Sequence, residues 1–273
     1  MIDAGRATSD IPHMDDQSSG DATPPSLTTP APSLDVRGLR KNYGSVRAVD
    51  GIGFSVAPGE TAALLGANGA GKTTTISMLI GLLIPDSGSI TVLGEDMLRH
   101  RYRVLGRINL SSPYIDLPRR LTVEENLKVF GHLYGIGDIP GRIEELTEEL
   151  DLGPLLRRPS GALSSGQRSR MALAKALINR PEVLFLDEPT ASLDPDTADR
   201  IRTYLTEYKT REKATILLAS HNMTEVERMC SNVMIMKAGR IVRTGTPQDL
   251  ITHFGRTTLE EVFLDIARNR SAP

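Results

Sequence analysis

One stretch narrows the possible fold more than any other. Gly66 to Thr74 reads GANGAGKTT, which satisfies G-x-x-x-x-G-K-[ST] between the apolar runs ETAALL and ISMLI. A glycine-rich turn from a buried strand into a helix start points its amides inward, and the positive end of the helix dipole adds to them. Such a loop wraps a di- or triphosphate. The expected phosphate-binding residues are therefore Gly66, Ala67, Asn68, Gly69, Ala70, Gly71, Lys72, Thr73 and Thr74. The Lys72 ammonium should reach the β and γ phosphates, and the Thr73 hydroxyl should ligate Mg²⁺.

The rest of the chain is patterned to carry such a loop. From Leu34 onward, short strand-like runs alternate with helical periods, as in an α/β fold with a mainly parallel sheet. GETAALLG and VLFLDEP read as buried strands. Ile143, Leu146 and Leu150 fall at helical spacing, as do Ala198, Ile201 and Leu205. Leu121 to Leu156 carries helical periods with no strand signal, so a helical insert divides the α/β unit. Residues 1–33, with DATPPSLTTPAPS, lack the apolar surface to offset ordering entropy and read as a disordered tail. The expected layout is that tail, a catalytic domain over 34–255 with a helical subdomain at about 106–175, and a helical C-terminal tail over 256–273.

Composition excludes several classes. Lys and Arg number 32 against 34 Asp and Glu, so no broad basic field draws the chain onto nucleic acid. The single cysteine, Cys230, has no disulfide partner and reads as a small buried hydrophobe. The longest apolar run, ISMLIGLLI, is far below the roughly 18 residues of a membrane span. MIDAGRATSDIPHMDD has no apolar signal core. A cytoplasmic setting is expected, with any membrane contact made through a partner.

Two further motifs bear on chemistry. In PEVLFLDEP an apolar strand delivers two carboxylates to its end, Asp187 to hold the metal through water and Glu188 to polarise an attacking water. LSSGQ, Leu163 to Gln167, opens the helix RSRMALAKAL, a start suited to an anion. Read locally, Ser165 is the residue that caps that helix.

Taken in order, GANGAGKTT, LSSGQ, VLFLDEP, SLD and SHN resemble the ATP-binding cassette (ABC) family, specifically the nucleotide-binding subunit of an ABC transporter. The resemblance covers about residues 34–255. It implies a P-loop (RecA-like) core with a mainly parallel sheet, an antiparallel β subdomain and an inserted α-helical subdomain. It implies an ATPase using ATP and Mg²⁺, with Glu188, His221 and Lys72 as the catalytic residues and Thr73 and Asp187 at the metal. The signature residues Ser165, Gly166 and Gln167 would face ATP bound by the other subunit of a head-to-tail dimer, either a homodimer or a pseudo-dimer. His221 resembles the switch histidine at the γ-phosphate. Asp194 resembles the aspartate at the dimer interface, and it can also cap a helix before Pro195. Tyr43 resembles the aromatic residue on which adenine stacks.

The sequence departs from the family twice. Ser165 stands where many members have the first signature glycine. The glutamine that usually senses Mg²⁺ and the attacking water is missing, since no Gln lies between Lys72 and Gly166; Asn109, Ser111 or Ser112 must stand in its place. The C-terminal run GTPQDLITHFGRTTLEEVFLDIARNR is similar to ATPases that serve ABC-2-type permeases, mostly exporters. The implied partner is an integral membrane permease on a separate chain, with this subunit peripheral at the cytoplasmic face. A soluble ABC ATPase acting on nucleic acid or ribosomes is the competing reading, against which stand a single cassette and the absence of a basic excess. A small-molecule kinase would need neither LSSGQ nor His221.

Overall fold

A computed structural model describes residues 30–112 and 115–268. Along the chain the strands are β1 (Leu34–Tyr43), β2 (Val46–Val56), β3 (Thr61–Leu65), β4 (Ser87–Val92), β5 (Glu95–Asp96), β6 (Ile108–Ser111), β7 (Val183–Asp187), β8 (Thr215–Ser220), β9 (Asn232–Lys237) and β10 (Arg240–Gly245). The helices are α1 (Lys72–Leu79), α2 (Val123–Leu133), α3 (Ile139–Glu149), α4 (Ser165–Leu177), α5 (Pro195–Glu212), α6 (Met223–Met229), α7 (Pro247–His253) and α8 (Leu259–Ala267). The fold is α/β, as expected.

β3, β7 and β8 are buried at every residue, the mark of strands covered on both faces. They form the centre of a sheet ordered β10-β9-β3-β8-β7-β6, parallel except for the edge strand β10. A second sheet, β2-β1-β4-β5, is wholly antiparallel. Its inner residues Leu34, Leu39, Val49 and Ile90 pack with Ile76 and Leu79 of α1 and with Leu64 of β3. Each such side chain contributes about 1.5–3 kcal/mol of burial, so the antiparallel sheet clamps α1 against the parallel one. Helices α2, α3 and α4 share the other core cluster through Val123, Leu127, Ile143, Leu146 and Met171. Cys230 lies in the same cluster as a buried free thiol, which burial keeps protonated. Among the described residues no helix is long and apolar enough to cross a membrane.

Three expectations need adjusting. β6 is a full member of the central sheet, paired in register with β7, so the helical insert begins after it and not near residue 106. Its four residues are too short to show a period. Ser33 belongs to the fold: it is buried, its hydroxyl accepts from Thr215 Oγ1 at 2.9 Å and its carbonyl accepts from the Leu93 amide. The rest of the expected tail, up to residue 29, lies outside the described residues, as do 269–273. The C-terminal segment forms α8, which buries Leu259 and Val262 in the core cluster shared with α2 to α4.

One buried charge fastens α4 to β6. Lys175 donates to Asn109 Oδ1 at 3.0 Å and the Leu110 carbonyl at 3.3 Å, with its ammonium 5.3 Å from the Phe130 ring centre. Burial pushes its amine down from 10.5 to about 8. Between those two values the unfolded chain binds the proton that the folded chain has released, so this residue's contribution to stability rises with pH across that window. Below pH 8 both states carry the charge and the full cost of burying it is present. Comparing wild type with Lys175→Met by urea unfolding should therefore show the difference moving in wild type's favour, by up to about 1.4 kcal/mol per pH unit, from about pH 8 to 10.5. A difference that stays flat over that range would mean the amine is not desolvated.

Candidate active site

The carboxyl ends of β3, β7 and β8 lie side by side, the edge at which parallel α/β sheets bind ligands. The loop after β3 makes a tight return into α1. Gly71 is the N-cap, at φ 107°, and a Cβ there would strike the Ala48 carbonyl oxygen. No other residue type fits. α1 has no side-chain cap, whereas α2 to α8 are each capped by Thr122, Asp138, Ser164, Asp194, Asn222, Thr246 and Thr258 respectively. The amides of Lys72, Thr73 and Thr74 in its first turn have no intrahelical acceptor and so await one from outside the helix. Lys72 is 7% exposed and donates to the Gly66 and Ala67 carbonyls at 2.6 and 3.3 Å. Burial holds its ammonium below the usual range, opposed by the carboxylates of Glu188 and Asp187.

Those carboxylates end β7. Asp187 is 3% exposed; its Oδ2 accepts from Thr73 Oγ1 at 3.2 Å and lies 3.5 Å from Ser112 Oγ. Burial raises its pKa, the Thr73 bond lowers it, and the neighbouring Glu188 raises it again. A buried carboxylate beside two hydroxyls is an oxygen donor set of the kind Mg²⁺ takes. The three candidates for the missing glutamine part here. Asn109 turns away, donating to Asn179 Oδ1 at 2.8 Å and accepting from Lys175. Ser111 and Ser112 line the cleft that contains Asp187, and Ser112 touches it.

Glu188 has φ 51°, left-handed backbone in a residue other than glycine, a cost that only surrounding bonds can sustain. Its amide donates to the Ala219 carbonyl at 2.8 Å. His221, the first residue after β8, brings Nδ1 to 2.7 Å from Glu188 Oε1. A carboxylate has no proton to give, so the ring nitrogen donates.

The signature folds differently from its local reading. Ser164, not Ser165, is the N-cap of α4: it accepts from the Gln167 amide at 3.3 Å, while Gln167 Oε1 accepts from the Ser164 amide at 3.0 Å. Gln167 is thus committed to this box, and Ser165 is left exposed at the first helical position. A Cβ on Gly166 would come to 3.1 Å from the Ser192 carbonyl, so the helix start rests on the loop after β7. The cleft lined by Ser165, Ser192, Asp187 and Glu188 includes, among its described lining residues, none from 66–74. Asp194 caps α5, accepting from the Thr197 amide at 3.0 Å with Pro195 next in line. Tyr43 ends β1 and is half-exposed, its ring 6.0 Å from Lys41 Nζ. Sequence reasoning overlooked Thr190, Ser220 and Glu225, whose side chains join one another beneath Glu188 and His221.

The chain belongs to the ABC transporter family: the family's model matches residues 49–191, from β2 to the loop after β7. Among its relatives is the Nod factor export ATP-binding protein I of Ralstonia nicotianae, 41% identical over 240 residues that make up 86% of this chain and 73% of the relative. Among solved structures, an ATP-binding subunit of an ABC transporter superposes with a TM-score of 0.79 at 29% identity, covering 86% of this chain and 99% of that one. The cbiO1 protein of Clostridium perfringens, part of the ABC transporter complex cbiONQ, superposes with a TM-score of 0.71 at 30% identity, covering 87% and 97%.

The geometry around Asp187 sets a limit on what the two serines do. Ser112 reaches the carboxylate only at the outer edge of hydrogen bonding. Replacing Ser111 and Ser112 together by Ala should leave basal ATP hydrolysis within about tenfold of wild type, roughly 1.4 kcal/mol of barrier. A loss of several orders of magnitude in a steady-state phosphate-release assay would place the serines in the chemistry itself.

Proposed function

We propose that this chain is the Mg²⁺-dependent ATPase subunit of an exporter, acting as a dimer on a separate membrane permease at the cytoplasmic face. The observation that carries the reading is the Glu188–His221 contact of 2.7 Å at the ends of β7 and β8, β8 being paired with the phosphate loop's own strand β3. Export is supported by the relative from Ralstonia, an export ATP-binding protein, and by the C-terminal run similar to ATPases of ABC-2-type permeases. The permease selects the cargo.

In this reading ATP lies on the uncapped start of α1, its β and γ phosphates held by the loop amides and Lys72, with adenine on the Tyr43 ring. Thr73 and Asp187 would hold Mg²⁺, which would supply positive charge to offset that of the phosphate oxygens. His221 engages Glu188 Oε1 and leaves Oε2 to receive a proton from water. That water's oxygen attacks the γ-phosphorus, the bond to the bridging oxygen breaks, and ADP and phosphate result. Ser165 and Gly166 contribute the start of α4 to the γ-phosphate held by the other subunit, and Asp194 lies along the shared interface.

Lys72→Ala should abolish Mg²⁺-dependent hydrolysis, because it removes the side-chain cation at the phosphates. Phosphate release at the wild-type rate, or release unaffected by chelation, would contradict the assignment. Glu188→Gln keeps the shape and removes the base, so ATP should persist and hold two subunits together. Light scattering on a size-exclusion column should show dimers with ATP and monomers with ADP. Adding Ser165→Arg should abolish that dimer while a fluorescent-nucleotide titration of the monomer stays within about threefold, below 1 kcal/mol. Lost monomer affinity with an intact dimer would assign the signature to its own subunit's site.

A further inference from the structure

Beneath the Glu188–His221 pair sits a carboxylate that the proposed chemistry does not use. Glu225, in the first turn of α6, is 1% exposed. Its Oε1 accepts from Thr190 Oγ1 at 2.9 Å and its Oε2 accepts from Ser220 Oγ at 2.8 Å. Thr190 lies two residues after Glu188, and Ser220 immediately precedes His221. Both hydroxyl residues are themselves buried, at 6% and 0% exposure.

The local sequence assigns Glu225 a different job. Asn222-Met223-Thr224-Glu225 has an N-cap residue followed three positions later by Glu, the spacing of a capping box in which the glutamate reaches back to the N-cap amide. Half of the box forms: Asn222 Oδ1 accepts from the Glu225 amide at 3.3 Å. The other half does not, because the Asn222 amide donates to Ser220 Oγ at 3.0 Å instead. The Glu225 side chain is diverted from its own helix to bridge two loops. Burial raises its pKa, a cost opposed by the two hydroxyl bonds. A local cap would be met at the surface without that cost.

The bridge completes a set of three cross-links between two short segments, 188–190 and 219–221. The Glu188 amide bonds the Ala219 carbonyl, the Glu188 carboxylate meets the His221 ring, and Glu225 joins Thr190 to Ser220. Glu188 holds left-handed backbone between the first and last of these. Strained backbone of this kind persists only where its surroundings over-determine it. We infer that Glu225 is a positioning residue: by bridging Thr190 and Ser220 it holds Glu188 and His221 in the geometry for water activation. This rests on the roles proposed above for Glu188 and His221.

The test measures ATP turnover per nucleotide-binding site, with sites counted by fluorescent-nucleotide titration, in the full-length chain. Glu225→Ala removes both bridges and should lower turnover per site by about 10- to 100-fold, as a displacement of about 1 Å does, with KM for ATP within about threefold. Glu225→Gln should recover turnover to within about threefold of wild type, since each hydroxyl can accept as well as donate and both bridges survive. A role confined to stability would reduce the number of sites and leave turnover per site intact. Should Glu225→Ala fail to fold, Thr190→Val removes one bridge at matched shape and should still cost severalfold in turnover. Wild-type turnover per site in Glu225→Ala, or in Thr190→Val, overturns the inference. So does a Glu225→Gln variant as impaired as Glu225→Ala. Glu188→Gln runs alongside: if it hydrolyses normally, the assignment of the base is what fails, whatever Glu225 does.

Discussion

The start of α1 is the constraint around which the molecule is arranged. Seven of the eight described α-helices satisfy their first turn with a side chain of their own, and α1 does not. Leaving a helix start uncapped costs about 0.5–2 kcal/mol, so the fold must hold it by packing. It does so through Ile76, Met78 and Leu79, which lie between the antiparallel sheet and the buried strands. The approach of Gly71 to the Ala48 carbonyl is a direct result of that clamp. The second sheet is therefore part of how the phosphate loop is kept in shape.

Charge accumulates on the same edge. Lys72, Asp187 and Glu225 are all buried there, each with its protonation equilibrium shifted against the charged form by burial. Buried charge is tolerated when hydrogen bonds meet it, and each of these three has two. Strands β3, β7 and β8 make this possible because they are buried along their whole length and paired on both sides, so packing fixes their ends.

What the sequence revealed was mostly local. The phosphate loop, the strand before Asp187 and the helix after LSSGQ are each specified by a contiguous run, and their order was enough for the family. What it hid depends on contacts between distant segments. β6 is four residues long and owes its place to pairing with β7, more than 70 residues away in the chain. Asn109, Ser111 and Ser112 were equivalent on paper; only Lys175 and Asn179, arriving on and after α4, draw Asn109 to the far side. Glu225 carried a legible pattern that pointed to the wrong partner, because the local pattern did not register that Ser220 already serves the Asn222 amide.

The signature shows how one short motif divides its letters. Ser164 and Gln167 spend their side chains on each other and specify where α4 begins. Ser165 and Gly166, between them, make no part of that box. The outer letters are thus an instruction for folding and the inner ones are available to address a neighbour. The two pairs are therefore separable: another capping pair at the ends would preserve the helix, and a change at Ser165 would alter only the surface that the helix start presents.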